Sequence, residues 1–184
     1  MARTFVACLQ RVHNRGTPPD AFLNPLVDWG AAAPDEIFAR NEIADIYSFV
    51  SPELGPWADI RERRAAMLEV LRVLAGFESS WNWNAGRDIT NPSSNQPCTE
   101  EAGILQVSGN SMSFDVSLKN LVQATQGDTD CTRFRATTKA NHPFALEYCA
   151  RLLRFTTNHH GPVKRKEINP WLRRDAMAEL RGFL

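Results

Sequence analysis

Glu78 stands at the end of an apolar run and is followed at once by Ser79, Ser80, Trp81, Asn82, Trp83 and Asn84. Counting back at 100° per residue, Leu74, Leu71 and Met67 share its side of a helix, so the periodicity aims a carboxyl group from the apolar face. Apolar surroundings and the negative end of a helix dipole both disfavour the ionised form. The expectation is a carboxyl still protonated near neutrality, the state that a general acid requires. Periodicity alone also fits a solvent-facing glutamate at a fraying helix end. The residues that follow weigh on the choice, because indole faces stack on sugar rings while Asn and Ser hydrogen-bond hydroxyl and acetamido groups. One of Trp81 and Trp83 fits a core position; both together are disfavoured there, since an i, i+2 pair does not face one way on a helix.

The elements that must position these groups read as helices throughout. The strongest spans about 61–78, where Ala65, Met67, Leu68, Val70, Leu71, Val73, Leu74 and Phe77 are apolar. Pro34 with Asp35 and Glu36 predicts a helix over about 34–47, and Ser51-Pro52-Glu53 a second start with Ser51 as cap. Further helices are expected over about 115–125, 143–156 and 170–183, the last opened by Asn169-Pro170. Between them, 82–101 is rich in Asn, Ser, Thr, Pro and Gly, and a loop that long inside a compact domain points to function or disorder. A second loop is expected over 126–139. No run of alternating β-type residues stands out, so the fold class is all-α with a long active-site loop.

With 184 residues the chain suits one domain spanning 1–184, in which an N-terminal helical segment, residues 1–60, packs on a core formed by 61–184. Its 21 basic and 21 acidic side chains cancel, which removes a global drive toward nucleic acid or anionic membrane. No apolar run approaches the ~20 residues that span a bilayer. The first residues give an apolar stretch of about six, short of the ~7–15 of a secretory leader, so export by the general route is not expected. Cys8, Cys98, Cys131 and Cys149 show no metal-ligand spacing. They fit either four buried thiols in a reducing compartment or one to two disulfides in an oxidising one. His159 and His160 read as cleft-wall or backbone-bonding residues rather than metal ligands. No metal and no cofactor are expected.

The run Glu78-Ser79-Ser80-Trp81-Asn82 after an apolar helix resembles the catalytic Glu-Ser motif of goose-type lysozymes and soluble lytic transglycosylases. Ala102-Gly103-Ile104-Leu105-Gln106-Val107 is similar to their Gly-Leu-Met-Gln motif, and Asn158-His159-His160-Gly161-Pro162 to their Tyr-Asn-Ala-Gly-Pro segment. The match covers roughly 65–162 in the right order. Three departures stand out: a 25-residue spacing from Glu78 to Gly103, Ser108 where goose-type enzymes carry Asp, and Asn158 and His159 where the family has Tyr and Asn. The resemblance implies a lysozyme-like α fold that cleaves the glycan strands of peptidoglycan, with Glu78 catalytic and Gln106, Asn158 and His159 positioning substrate beside Ser79, Trp81 and Trp83.

A second carboxylate would serve as base or nucleophile, with Glu101 the first choice and Asp88 the second; Glu100 lies on the same loop. Lytic transglycosylases manage without one, because the substrate's own 6-hydroxyl closes on the anomeric carbon. Muramidase, glucosaminidase and transglycosylase therefore all remain open, beside phage-type enzymes and a non-catalytic binding module of the same fold. A wall-cleaving chain with no leader resembles the glycoside hydrolase effectors of type VI secretion. That implies action in a target cell's periplasm and a periplasmic immunity protein that occludes the cleft.

Overall fold

The computed structural model describes residues 3–41 and 43–184. Among them are eight α-helices: α1 (Asp20–Ala32), α2 (Ile46–Leu54), α3 (Ile60–Ser79), α4 (Val116–Gln126), α5 (Cys131–Ala140), α6 (His142–Phe155), α7 (Gly161–Lys164) and α8 (Arg174–Phe183). Two isolated β-bridges are the only extended pairing among the described residues, so the fold is all-α.

Helix α3 is the axis. From Arg63 through Gly76 every residue is buried, Arg63, Arg64, Glu69 and Arg72 included, because neighbouring elements surround the helix. Helices α1 and α8 pack along it, and α6 joins α1 and α5. One hydrophobic cluster runs from Phe22 and Leu26 of α1 through Leu68 and Leu71 of α3 to Leu146 and Leu153 of α6. The N-terminal segment is tied to the C-terminal helix, with the Val6 and Cys8 amides donating to the two carboxylate oxygens of Glu179.

Four of the expected element boundaries are corrected. Among the described residues of 34–45 the chain forms a 3₁₀ turn at Asp35–Ile37, and a helix begins only at Ile46. Carbonyls that a helix would have used are taken by side chains instead: Phe38 O accepts from Arg63 Nε at 2.5 Å, and Ala39 O from Arg154 Nη2 at 2.6 Å. Ser51 does not cap a helix. The cap is Asp45, which forms a reciprocal box with Ser48, and Pro52 falls inside α2. The loop expected over 126–139 contains α5, capped by Asp130. Asn169 and Pro170 make a 3₁₀ turn, and α8 begins later, at Arg174. Helix α1 follows Pro18-Pro19 without any expected signal, and carries Pro25 within it.

Inside α3, Glu69 and Arg72 form a fully buried two-point ion pair at 2.6 and 2.7 Å. Arg72 also reaches the Cys8 and Gln10 carbonyls, so the pair holds the N-terminal segment against the axis. Arg72→Met should destabilise the fold by about 3–5 kcal/mol in urea titration, because it strands a buried carboxylate. Burial already pushes the Glu69 carboxyl up. The deficit should therefore narrow at acid pH, where Glu69 takes up a proton; a deficit that is flat in pH would contradict this account.

Candidate active site

Helix α3 ends in an abrupt reversal. Ser80 and Trp81 both adopt left-handed backbone, at φ 52° and 60°, and the Trp81 amide returns to Ala75 O. The reversal folds Trp81 back over the helix, where its indole N–H donates to Arg72 O at 2.9 Å. Gly76 makes room for it, since a Cβ there would lie 2.7 Å from the Trp81 ring. Glu78 is the last carboxyl before the turn and points into an open cleft of about 660 Å³, with its side chain 16% exposed.

The opposite wall is a tight turn over Gly103–Gln106, closed by the bridge between Ala102 and Val107. Gly103 has φ 73°, and a Cβ would meet Thr138 O at 2.9 Å. Ser79 joins the two walls: its hydroxyl donates to Ile104 O at 2.7 Å and accepts from the Asn82 amide. The Glu-Ser segment and the Gly-Ile-Leu-Gln segment, separate in sequence, are thus in contact.

The cleft brings together five of the residues singled out from sequence: Glu78, Asp88, Glu101, Gln106 and His159. Gln106 sits at φ 46°, and its amide N–H donates to Gly103 O, which leaves the side-chain oxygen as acceptor. Glu101 accepts from Asn91 Nδ2 at 2.9 Å on one oxygen and from Ser94 Oγ at 2.5 Å on the other. Asp88 is exposed, and hydrogen bonds from the Thr90 hydroxyl and amide hold its pKa below the ordinary range. His159 is pushed down to about 3 by burial and by the neighbouring His160, so it is a neutral ring in the cleft wall.

Four expected contacts are absent from the cleft lining. Trp81 is core, with 5% exposure, because the left-handed turn points it inward. Trp83 stacks on His142 at 3.8 Å and donates to Ala21 O, on the α1 side of the molecule. Ser79 commits its hydroxyl to the backbone of the opposite wall. Asn158 is exposed and lies outside the lining residues.

His160 is the partner that sequence alone did not assign. It is buried at the start of α7, with Nδ1 3.2 Å from Glu78 Oε1 and Nε2 3.4 Å from Cys149 Sγ. Burial disfavours a charge on this ring, but Cys149 on one side and Glu78 on the other outweigh it and raise its pKa to about 10. The imidazole thus holds a proton within hydrogen-bond distance of Glu78. No hydrogen bond to Oε2 of Glu78 occurs among the described residues, so that oxygen is available to a substrate. Cys149 is fully buried, which excludes its thiol from contact with any substrate and makes this chain of groups unlike a cysteine-nucleophile triad.

The long loop is held by a disulfide between Cys98 and Cys131, the first residue of α5, while Cys8 and Cys149 are buried free thiols. Among the described residues, no three His, Cys, Asp or Glu side chains gather in a way that could hold a metal ion. Comparison with family models, with curated proteins and with solved structures gives no match to this chain.

Proposed function

We propose that this protein is a peptidoglycan glycosidase that cleaves the N-acetylglucosamine/N-acetylmuramic acid backbone by general acid catalysis at Glu78. The observation that carries the reading is the Glu78–His160 pair at one wall of a polar cleft, facing the turn that presents Gln106. In the open cleft the raised pKa of His160 keeps a proton on the imidazole. A sugar chain that covers the pair removes water from it, and desolvation favours the neutral form, carboxylic acid beside neutral imidazole, over the ion pair. Binding thus arms Glu78 with the proton that the leaving glycosidic oxygen needs. Gln106 accepts from an acetamido N–H.

One observation favours transglycosylation over hydrolysis. Both Glu101 oxygens are engaged by Asn91 and Ser94, and Asp88 is an exposed turn residue, so neither carboxylate is aimed at a water by its neighbours. The substrate's 6-hydroxyl would then close on the anomeric carbon. Mass spectrometry of purified sacculi after digestion tests both levels. Anhydro ends are expected; reducing N-acetylmuramic acid or N-acetylglucosamine ends would restore a hydrolase with Glu101 or Asp88 as base. No new ends at all would overturn the glycosidase reading.

The disulfide suits work in an oxidising compartment, where the wall lies. Together with the resemblance to type VI secretion effectors, this extends the proposal to an antibacterial toxin acting in a target periplasm. Its immunity partner would cover the cleft mouth.

A further inference from the structure

Of the two buried free thiols, one meets backbone and the other meets a polar ring. Cys8 Sγ lies 3.7 Å from Ala176 O, as a small apolar residue with a weak donor does. Cys149 Sγ lies 3.4 Å from His160 Nε2, and among the described residues it is the single hydrogen-bond partner of that nitrogen. Cys149 is 0% and His160 2% exposed, so bulk water does not reach the contact. On its other edge the ring faces Glu78, with Nδ1 3.2 Å from Oε1. The remaining ionisable neighbours are otherwise engaged: His159 beside the ring is neutral, and Arg165 and Glu167 at the cleft rim pair with each other. Segments from α6, the start of α7 and the end of α3 thus form one chain from sulfur through imidazole to carboxyl.

Which nitrogen of an imidazole carries hydrogen is set by what the other nitrogen meets. A ring that has passed its Nδ1 proton to Glu78 keeps hydrogen on Nε2, and that N–H is buried. It needs an acceptor, and Cys149 Sγ is the one in reach. Without the sulfur, hydrogen on Nε2 would be buried unpaired. The ring would then carry its one hydrogen on Nδ1, donating to a Glu78 that stays ionised. We propose that Cys149 is a positioning residue for the acid: its sulfur accepts from Nε2 of His160 and so holds the ring in the state that can hand a proton to Glu78. The inference rests on the glycosidase reading and extends it to a residue that touches no substrate. The proton count closes over one turnover. The Nδ1 proton moves to the Glu78 carboxyl and leaves with the departing glycosidic oxygen. The 6-hydroxyl, on closing to the anomeric carbon, returns a proton to Glu78 and the ring, and the sulfur gains and loses nothing.

The test compares wild type with Cys149→Ala, Cys149→Ser and Cys8→Ala on purified sacculi. Cys149→Ala should lower kcat about tenfold, the factor set by one hydrogen bond to a charged group, with KM within about twofold of wild type. Cys149→Ser, whose hydroxyl oxygen accepts again, should recover most of the loss. Cys8→Ala removes an equally buried thiol that meets no imidazole and should leave kcat unchanged, which separates the contact from packing. Unchanged kcat in Cys149→Ala, a serine variant no better than alanine, or an equal fall in Cys8→Ala would overturn the proposal. If the wild-type protein releases no muropeptides, the glycosidase reading fails, and nitrogen NMR of protein carrying labelled histidine decides the contact by itself. The His160 Nε2 signal should lie at the position of a protonated nitrogen in wild type and move toward that of a bare one in Cys149→Ala. A signal common to both would remove the sulfur from its role.

Discussion

Glu78→Gln should lose about 10²–10⁴-fold in wall-lytic turnover, or more, and keep its fold. The amide matches the carboxyl in shape and still accepts from His160 Nδ1 through its oxygen, so α3, the turn at Ser80 and the cleft are undisturbed. What it lacks is a proton of the right acidity for the leaving oxygen. Release of soluble muropeptides from sacculi measures the loss, with circular dichroism and thermal unfolding as controls for folding. Activity within tenfold of wild type in a folded variant would take Glu78 out of the mechanism. The outcome also decides against a binding module of the same architecture, which would release nothing from sacculi in either form.

His160→Gln should cost on the order of 10²-fold at neutral pH and reshape the pH profile. In the wild type Cys149 and Glu78 raise the His160 pKa to about 10, so kcat/KM should persist into alkaline solution. Without the imidazole, the alkaline limb should move to lower pH. Stability gives a second readout with a fixed sign. The folded pKa of His160 lies above the ordinary ~6.5 of a free imidazole, so its contribution is fully present below that value and is lost as pH rises toward 10. Wild type should therefore lose more stability between pH 6 and pH 10 than His160→Gln does. Identical slopes, with an unmoved alkaline limb, would mean that the ring is only packing.

The contrast between Glu78 and its neighbours shows what could be read in the sequence. Periodicity placed Glu78 correctly because α3 is one uninterrupted helix, and 82–101 read as a loop because its composition offers no face to bury. Trp81 misled because two successive non-glycine residues took left-handed backbone, a conformation that no residue type there announces. The helix expected over 34–47 failed because Arg63 and Arg154, 24 and more positions away, supplied the donors that its carbonyls needed. His160 could not be assigned for a similar reason. Its meaning depends on Cys149 from α6 and Glu78 from α3, and such a meeting of three segments leaves no local spacing to read.

The bond between Cys98 and Cys131 closes a covalent ring, and that ring contains Glu101, Gln106 and Ser108 but neither Glu78 nor His160. One wall of the cleft is therefore cyclic and the other linear. A peptidase that cuts between 98 and 131 leaves both new ends on the same molecule, still anchored at α5. A cut at the exposed Asp88 or Ile89, outside the ring, divides the chain into two pieces that only non-covalent contacts keep together. The segment that carries the turn against the acid is the one that a single nick cannot detach.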